Sequence, residues 1–178
     1  MKKILIILAG VALMAACGHK MSREELVGSI EEHERELDLN YLDVEGVDST
    51  LDEMIGLYRQ FYQRFADDSL APVYMQRAAD LCITRGNTDE AVATLDSIIV
   101  LYPDYEDVAG CWFLKGYAYE NAESYDSARE AYTFFVETYP DHYLAKDTRT
   151  TLQYLGLSPE EMFEAIMAGA TAENLVME

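Results

Sequence analysis

Two stretches, VYMQRAADLCITRGNTDEAVATLDSIIVLYP at residues 73–103 and GCWFLKGYAYENAESYDSAREAYTFFVETYP at residues 110–140, decide the fold because they carry one pattern twice. Laid over each other, they pair Ala91 with Ala128, Leu95 with Tyr132, Ile98 with Phe135, Tyr102 with Tyr139 and Pro103 with Pro140, each 37 residues apart. A period of that size marks stacked supersecondary units, because one unit cannot cover its own apolar face and needs a neighbour. The same interval counted backwards finds a third copy in Met54, Tyr58, Phe61, Tyr62 and Phe65. Within each copy the spacing is i, i+4, i+7, i+8 and i+11, which is one face of an α-helix and not the alternation of a strand. Three helices therefore carry one apolar stripe at one phase.

The chain has 178 residues, half of them apolar and a quarter charged, enough for one globular domain and a targeting segment. Lys2 and Lys3 precede an apolar or small run from Ile4 to Ala16, and Cys17 follows. That run falls short of the roughly 20 residues a spanning helix needs, so residues 1–16 read as an export signal. Ala15, Ala16 and Cys17 after Leu13 and Met14 resemble the lipobox of bacterial lipoproteins. The resemblance implies cleavage before Cys17 and lipidation of Cys17, which holds a protein at a membrane without spanning it. Ordinary secretion with cleavage nearby is the alternative.

Formal charge is −20. Setting Lys2 and Lys3 aside leaves eleven basic residues against 33 acidic ones, about −22. Charge of that sign repels phosphate backbones and anionic lipid surfaces, which argues against a nucleic-acid partner and against electrostatic membrane docking. Most of the carboxylates read as solvated helix surface.

Taken in order, residues 17–47 read as a lipidated N-terminus with one acidic helix and a turn. Ser22 and Glu25 have capping-box spacing, and Leu26, Ile30 and Leu37 give that helix a thin apolar edge, which predicts loose packing. The acidic stretch around Asn40 to Asp48 lacks the ligand spacing of a calcium loop and reads as a turn. Residues 48–168 are the repeat domain. Thr50 and Glu53 offer a capping box for the helix of Met54 to Phe65, and Pro72 suits a first helical turn. Pro103 and Pro140 stop the second helix of each repeat. One period after Trp112, Gly116 and Tyr119 stand Arg149, Gln153 and Gly156, a degenerate terminal copy. Ser158-Pro-Glu-Glu161 opens a last helix through Phe163, Ile166 and Met167, expected to stop near Gly169 and to lie as a cap on the final groove. Residues 169–178 read as a frayed tail.

Trp112, Gly116, Tyr119, Ala128, Tyr132 and Pro140 follow the aromatic, small, aromatic, alanine, aromatic, proline order of the tetratricopeptide repeat, and the chain resembles that family. The resemblance implies an all-α, right-handed solenoid of antiparallel helix pairs. Gly116 and Ala128 are small so that paired helices approach closely, while Trp112, Tyr119 and Tyr132 fill the space beside them. Lys115 and Phe135 depart from the leucine and alanine of the family, and the period exceeds its usual length, leaving extra residues before each first helix. With the Tyr-Pro-Asp endings and the lipobox, this looks similar to the envelope lipoproteins of the outer-membrane barrel-assembly type (BamD-like) and their Tol-associated relatives. By resemblance, contacts to a partner come from Gln76, Asp80 and Thr84 in the first repeat and from Phe113, Tyr117, Glu120 and Asn121 in the second. Phe113 and Tyr117 have a second reading, packing against a neighbouring helix.

No catalytic constellation stands out. His19, His33 and His142 are scattered without a metal-type partner at helical spacing, and no nucleophile elbow, phosphate loop or paired CxxC is present. The expectation is a protein that is not an enzyme and takes no cofactor, metal or small-molecule substrate. Cys82 and Cys111, on adjacent first helices, have two readings: a disulfide, which an exported protein could form, and two buried free thiols, the favoured one. The functional expectation is a lipid-anchored interaction adaptor or scaffold of the bacterial envelope, on an outer membrane facing the periplasm or at the cell surface. A cell-wall glycan binder is the alternative.

Overall fold

The computed structural model describes residues 20–40 and 47–175. The signal segment, Cys17, most of the acidic turn and the last three residues lie outside the described residues. All described secondary structure is α-helical. The chain divides into two compact units, residues 1–66 and 67–178.

The first unit is a helix pair, α1 (Arg23–Asn40) and α2 (Val47–Arg64). Ser22 and Glu25 make the reciprocal capping box: the Ser22 amide donates to the Glu25 carboxylate at 2.7 Å, and the Glu25 amide donates to Ser22 Oγ at 3.2 Å. Two helical donors that would face water unpaired are satisfied this way. The thin apolar edge of α1 packs tightly, contrary to the expectation of loose packing. Leu26 and Ile30 are fully buried, as are Met54 and Phe61 of α2, and the Tyr58 hydroxyl donates to Glu34 at 2.7 Å. A few large side chains suffice because the partner stripe is wide. The second capping box does not form, since α2 begins at Val47 and places Thr50 inside the helix.

The second unit holds α3 (Ala71–Thr84), α4 (Thr88–Leu101), α5 (Val108–Asn121), α6 (Tyr125–Thr138), α7 (Ala145–Tyr154) and α8 (Pro159–Leu175). The period is written into the boundaries. First helices start at Ala71, Val108 and Ala145, second helices start at Thr88 and Tyr125, and helices end at Arg64, Leu101 and Thr138, all at the 37-residue interval. Each hairpin turn needs one residue in the left-handed region, Gly86 with φ of 74° and Glu123 with φ of 56°. Glycine takes that conformation at little cost, whereas glutamate is strained there. Helices packed as neighbours run in chain order, α3 on α4, α4 on α5, α5 on α6 and α6 on α7, with α5 also meeting α3.

The α5–α6 hairpin shows why the small residues are small. A Cβ added to Gly116 would overlap the ring of Tyr132, so that ring lies directly against the α5 backbone. Its hydroxyl continues across α5 and donates to Glu120 at 2.7 Å. Burial and that carboxylate raise the Tyr132 pKa well beyond the phenolic range. Ala128, Tyr132 and Leu155 form one core cluster; Ala109, Phe135, Val136 and Ala145 form another, joined by Trp112, Tyr139, Leu144 and Leu152. Phe135, at a place the family gives to alanine, is fully buried there. Lys115 turns its departure from leucine to use: its ammonium lies 4.5 Å from the Trp112 ring centroid and pairs with Asp96 of α4 at 2.5 Å. Cys82 and Cys111 are buried thiols, not joined in a disulfide, and burial pushes Cys111 up to about 12.

Arginine replaces the aromatic signature where the array ends. Arg149, one period after Trp112, donates to the carbonyls of Val136 and Pro140 at 3.3 and 3.4 Å, and Arg129 donates to those of Leu152 and Leu155 at 3.0 and 3.1 Å. These carbonyls at the ends of α6 and α7 would otherwise lack donors. The Ser158–Glu161 capping box forms at the start of α8, with bonds of 2.8 and 3.2 Å. The expected cap does not. Every described side chain of α8, residues 159–168, is exposed, Phe163 to 64%. The reason lies in α7, which turns Lys146, Asp147, Thr150 and Gln153 outward and offers little apolar surface to cover. The α8 helix also runs past Gly169 to Leu175, carried by flanking alanines, the best helix formers, against a cost of about 1 kcal/mol for one internal glycine.

Gly116→Ala forces a methyl into the Tyr132 ring. It is expected to cost about 1–3 kcal/mol in urea unfolding, whereas Gly56→Ala, where a Cβ meets nothing within 4 Å, should not destabilise; equal losses at both sites would contradict this packing.

Candidate functional site

The period that sets the helices also sets a groove. Val73, Gln76, Arg77 and Asp80 follow each other at i, i+3, i+4 and i+7 on α3, so they share a face, and one period later stand Gly110, Phe113, Leu114 and Tyr117 on α5. All of these except Tyr117 line a single cavity of about 380 Å³, closed by Tyr105 and Asp107 from the loop before α5 and by Tyr143 and Leu144 from the loop before α7. The cavity therefore opens on the face made by successive first helices. Its volume is that of a site for a few side chains.

The α3 wall is polar and tied down. The Tyr105 hydroxyl donates to Gln76 Oε1 at 2.6 Å, and Gln76 Nε2 donates to Asp107 Oδ2 at 2.6 Å. Both ends of the amide are used, which fixes its orientation. Tyr105 must keep its proton to donate. Burial, then Asp107, Cys111 and Glu106, push its pKa up to about 12, with Arg77 opposing them. Asp107 sits at the start of α5 yet makes no side-chain cap, its carboxylate lying over Gly110, where an added Cβ would collide with it. Asp80 has its pKa raised by burial, and its carboxylate finds neither cation nor donor among the described residues. Arg77 lies with its guanidinium 5.7 Å from the Tyr74 ring centroid.

The α5 wall is apolar. Phe113 lies 5.7 Å from the Tyr132 ring and 5.8 Å from that of Phe135, and Tyr117 stacks on it at 6.4 Å with planes 4° apart. Phe113 thus serves both readings given to it, wedged into the core on one side and lining the cavity on the other. Tyr117 is 41% exposed, and Tyr143, at the mouth, 81%.

Of the residues expected to meet a partner, Gln76, Asp80 and Phe113 come together here. Thr84 lies exposed near the end of α3, its hydroxyl donating to the Asp80 carbonyl at 3.1 Å. Glu120 receives the Tyr132 hydroxyl, and Asn121 is exposed at the end of α5. Tyr105, Asp107, Tyr143 and Leu144 were not singled out by sequence. The available signal was the long period, because its extra residues fall in the loops that supply all four.

Stacked helix pairs with a cavity on the first-helix face define a helical-repeat interaction module. The tetratricopeptide-repeat family model matches residues 74–105 and 111–142, two spans offset by the same 37 residues. The chain thus carries tetratricopeptide repeats, modules that commonly hold protein or peptide partners. No curated protein matches this sequence.

Tyr105→Phe removes the bond to Gln76 and is expected to cost about 1 kcal/mol at neutral pH. Because the folded state holds the Tyr105 proton to about 12, above the unfolded value near 10, its contribution is complete below pH ~10 and is lost as pH rises toward 12. Urea midpoints across that range should fall more steeply for the parent than for the variant; parallel curves would remove Tyr105 from this role.

Proposed function

We propose that this protein is a lipid-anchored adaptor of the bacterial envelope that holds a segment of a partner protein in the cavity between α3 and α5. The observation that carries the reading is the register of that cavity: one period supplies its polar wall and the next its aromatic wall, so the repeats themselves build the surface. Extended segments are recognised by such surfaces through pockets for a few side chains. The envelope part of the reading rests on Lys2, Lys3, the apolar run and Ala15-Ala16-Cys17. Among the described residues no helix is long and apolar enough to cross a membrane, so attachment in this reading depends on lipid at Cys17. The tetratricopeptide pattern with a lipobox favours a role like that of the barrel-assembly and Tol-associated lipoproteins, in outer-membrane protein assembly or envelope maintenance.

Cys17→Ser is expected to move the protein from the membrane fraction to the soluble fraction of its native cell and to abolish labelling by a fatty-acid probe; unchanged fractionation would end the anchor. A photoreactive residue at position 117, beside the cavity, is expected to yield discrete protein adducts in the intact envelope. Retention on purified wall polymer with no protein adduct would replace this reading with glycan binding.

A further inference from the structure

Apart from the Arg77 guanidinium and the Tyr143 hydroxyl at the mouth, the polar groups that the cavity offers to a ligand are acceptors. Gln76 spends its donor on Asp107 and its acceptor on Tyr105, and Tyr105 spends its proton on Gln76. Besides Arg77, what remains on that side is acceptor: the second oxygen of Asp107 and both carboxylate oxygens of Asp80, which has no side-chain partner among the described residues. Arg77, the one cation of the lining, is drawn over Tyr74 on its own helix. Opposite stand Phe113 and Leu114, with Leu144 and the exposed Tyr143 beside them. Acceptors on one wall are matched by a donor cation, and an ammonium or guanidinium satisfies them with charge-assisted bonds. The aromatic and aliphatic wall is matched by an apolar side chain.

We propose that the cavity selects a partner segment in which a lysine or arginine stands within two or three residues of a large apolar side chain, the cation meeting Asp80 and Asp107 and the apolar group meeting Phe113, Leu114 and Tyr143. The spacing follows from the walls: packed helices lie roughly 8–10 Å apart, and an extended chain advances about 3.3 Å per residue. This inference rests on the peptide-binding reading above and adds the chemistry of the peptide. Asp80 is exposed on the cavity face and its carboxylate has no partner among the described residues, so it is open to an incoming cation.

The test uses the full chain in detergent and two dye-labelled ten-residue peptides, one alternating lysine with leucine and one with glutamate replacing lysine, followed by fluorescence anisotropy. The lysine peptide is expected to saturate and the glutamate peptide not to bind. Asp80→Asn is expected to weaken the lysine peptide about five- to tenfold while leaving the thermal midpoint unchanged, because the carboxylate is exposed and unpaired among the described residues. Because a chain of charge −20 attracts any cation, Glu137→Gln on the exposed surface of α6 is the control, expected to stay within about twofold. Equal weakening by Asp80→Asn and Glu137→Gln, or tight binding of the glutamate peptide, overturns the proposal. Adducts from position 117 separate the two levels: a captured segment without lysine or arginine leaves peptide binding standing and ends this inference, whereas an envelope that yields no protein adduct ends both.

Discussion

The close approach of α5 to α6 at Gly116 and Tyr132 is the constraint on which the second unit depends. A tyrosine ring laid on a backbone that has no side chain at that point brings two helices nearer than any larger residue permits, and its hydroxyl then fixes the sliding register by reaching Glu120, one turn further along. One period earlier the corresponding places are Ala79 and Leu95, both wholly buried. Small against large is kept while the residues change. With the hairpin geometry repeated in this way, the loops return each first helix to the same face, and that face becomes the surface on which a cavity can form.

Polar chemistry in the cavity depends on this frame. Gln76 lies one helical repeat before Phe113, so equal positions in the two hairpins supply an amide and an aromatic ring to the same space. Tyr105 and Asp107 reach Gln76 only because the loop before α5 is long enough to fold back over Gly110, whose missing side chain leaves room for the Asp107 carboxylate. Repeat length, the glycine and the polar triad belong to one arrangement.

The array ends by a change of partners. Where a further aromatic helix would have continued the stack, Arg149 and Arg129 take the carbonyls at the ends of α6 and α7, and α7 turns polar residues outward. A helix end satisfied by guanidinium needs no next layer. The side chains expected to form the cap, Phe163, Ile166 and Met167, consequently stay exposed.

Sequence by itself determined the helices and their interval, because apolar periodicity, proline stops and small residues act locally or through the immediate neighbour. It reached the two terminal capping boxes for the same reason, and it found Gln76, Asp80 and Phe113 as members of the inner face. It misplaced the second capping box and the cap, both of which depend on what stands opposite. Only the tertiary structure decided that Glu120 would be spent on Tyr132, that Phe113 would be core and wall at once, and that Tyr105 and Asp107 would join Gln76. Those outcomes turn on which side chains meet across helices and loops far apart in the chain, and a spacing rule carries no information about the far side of a contact.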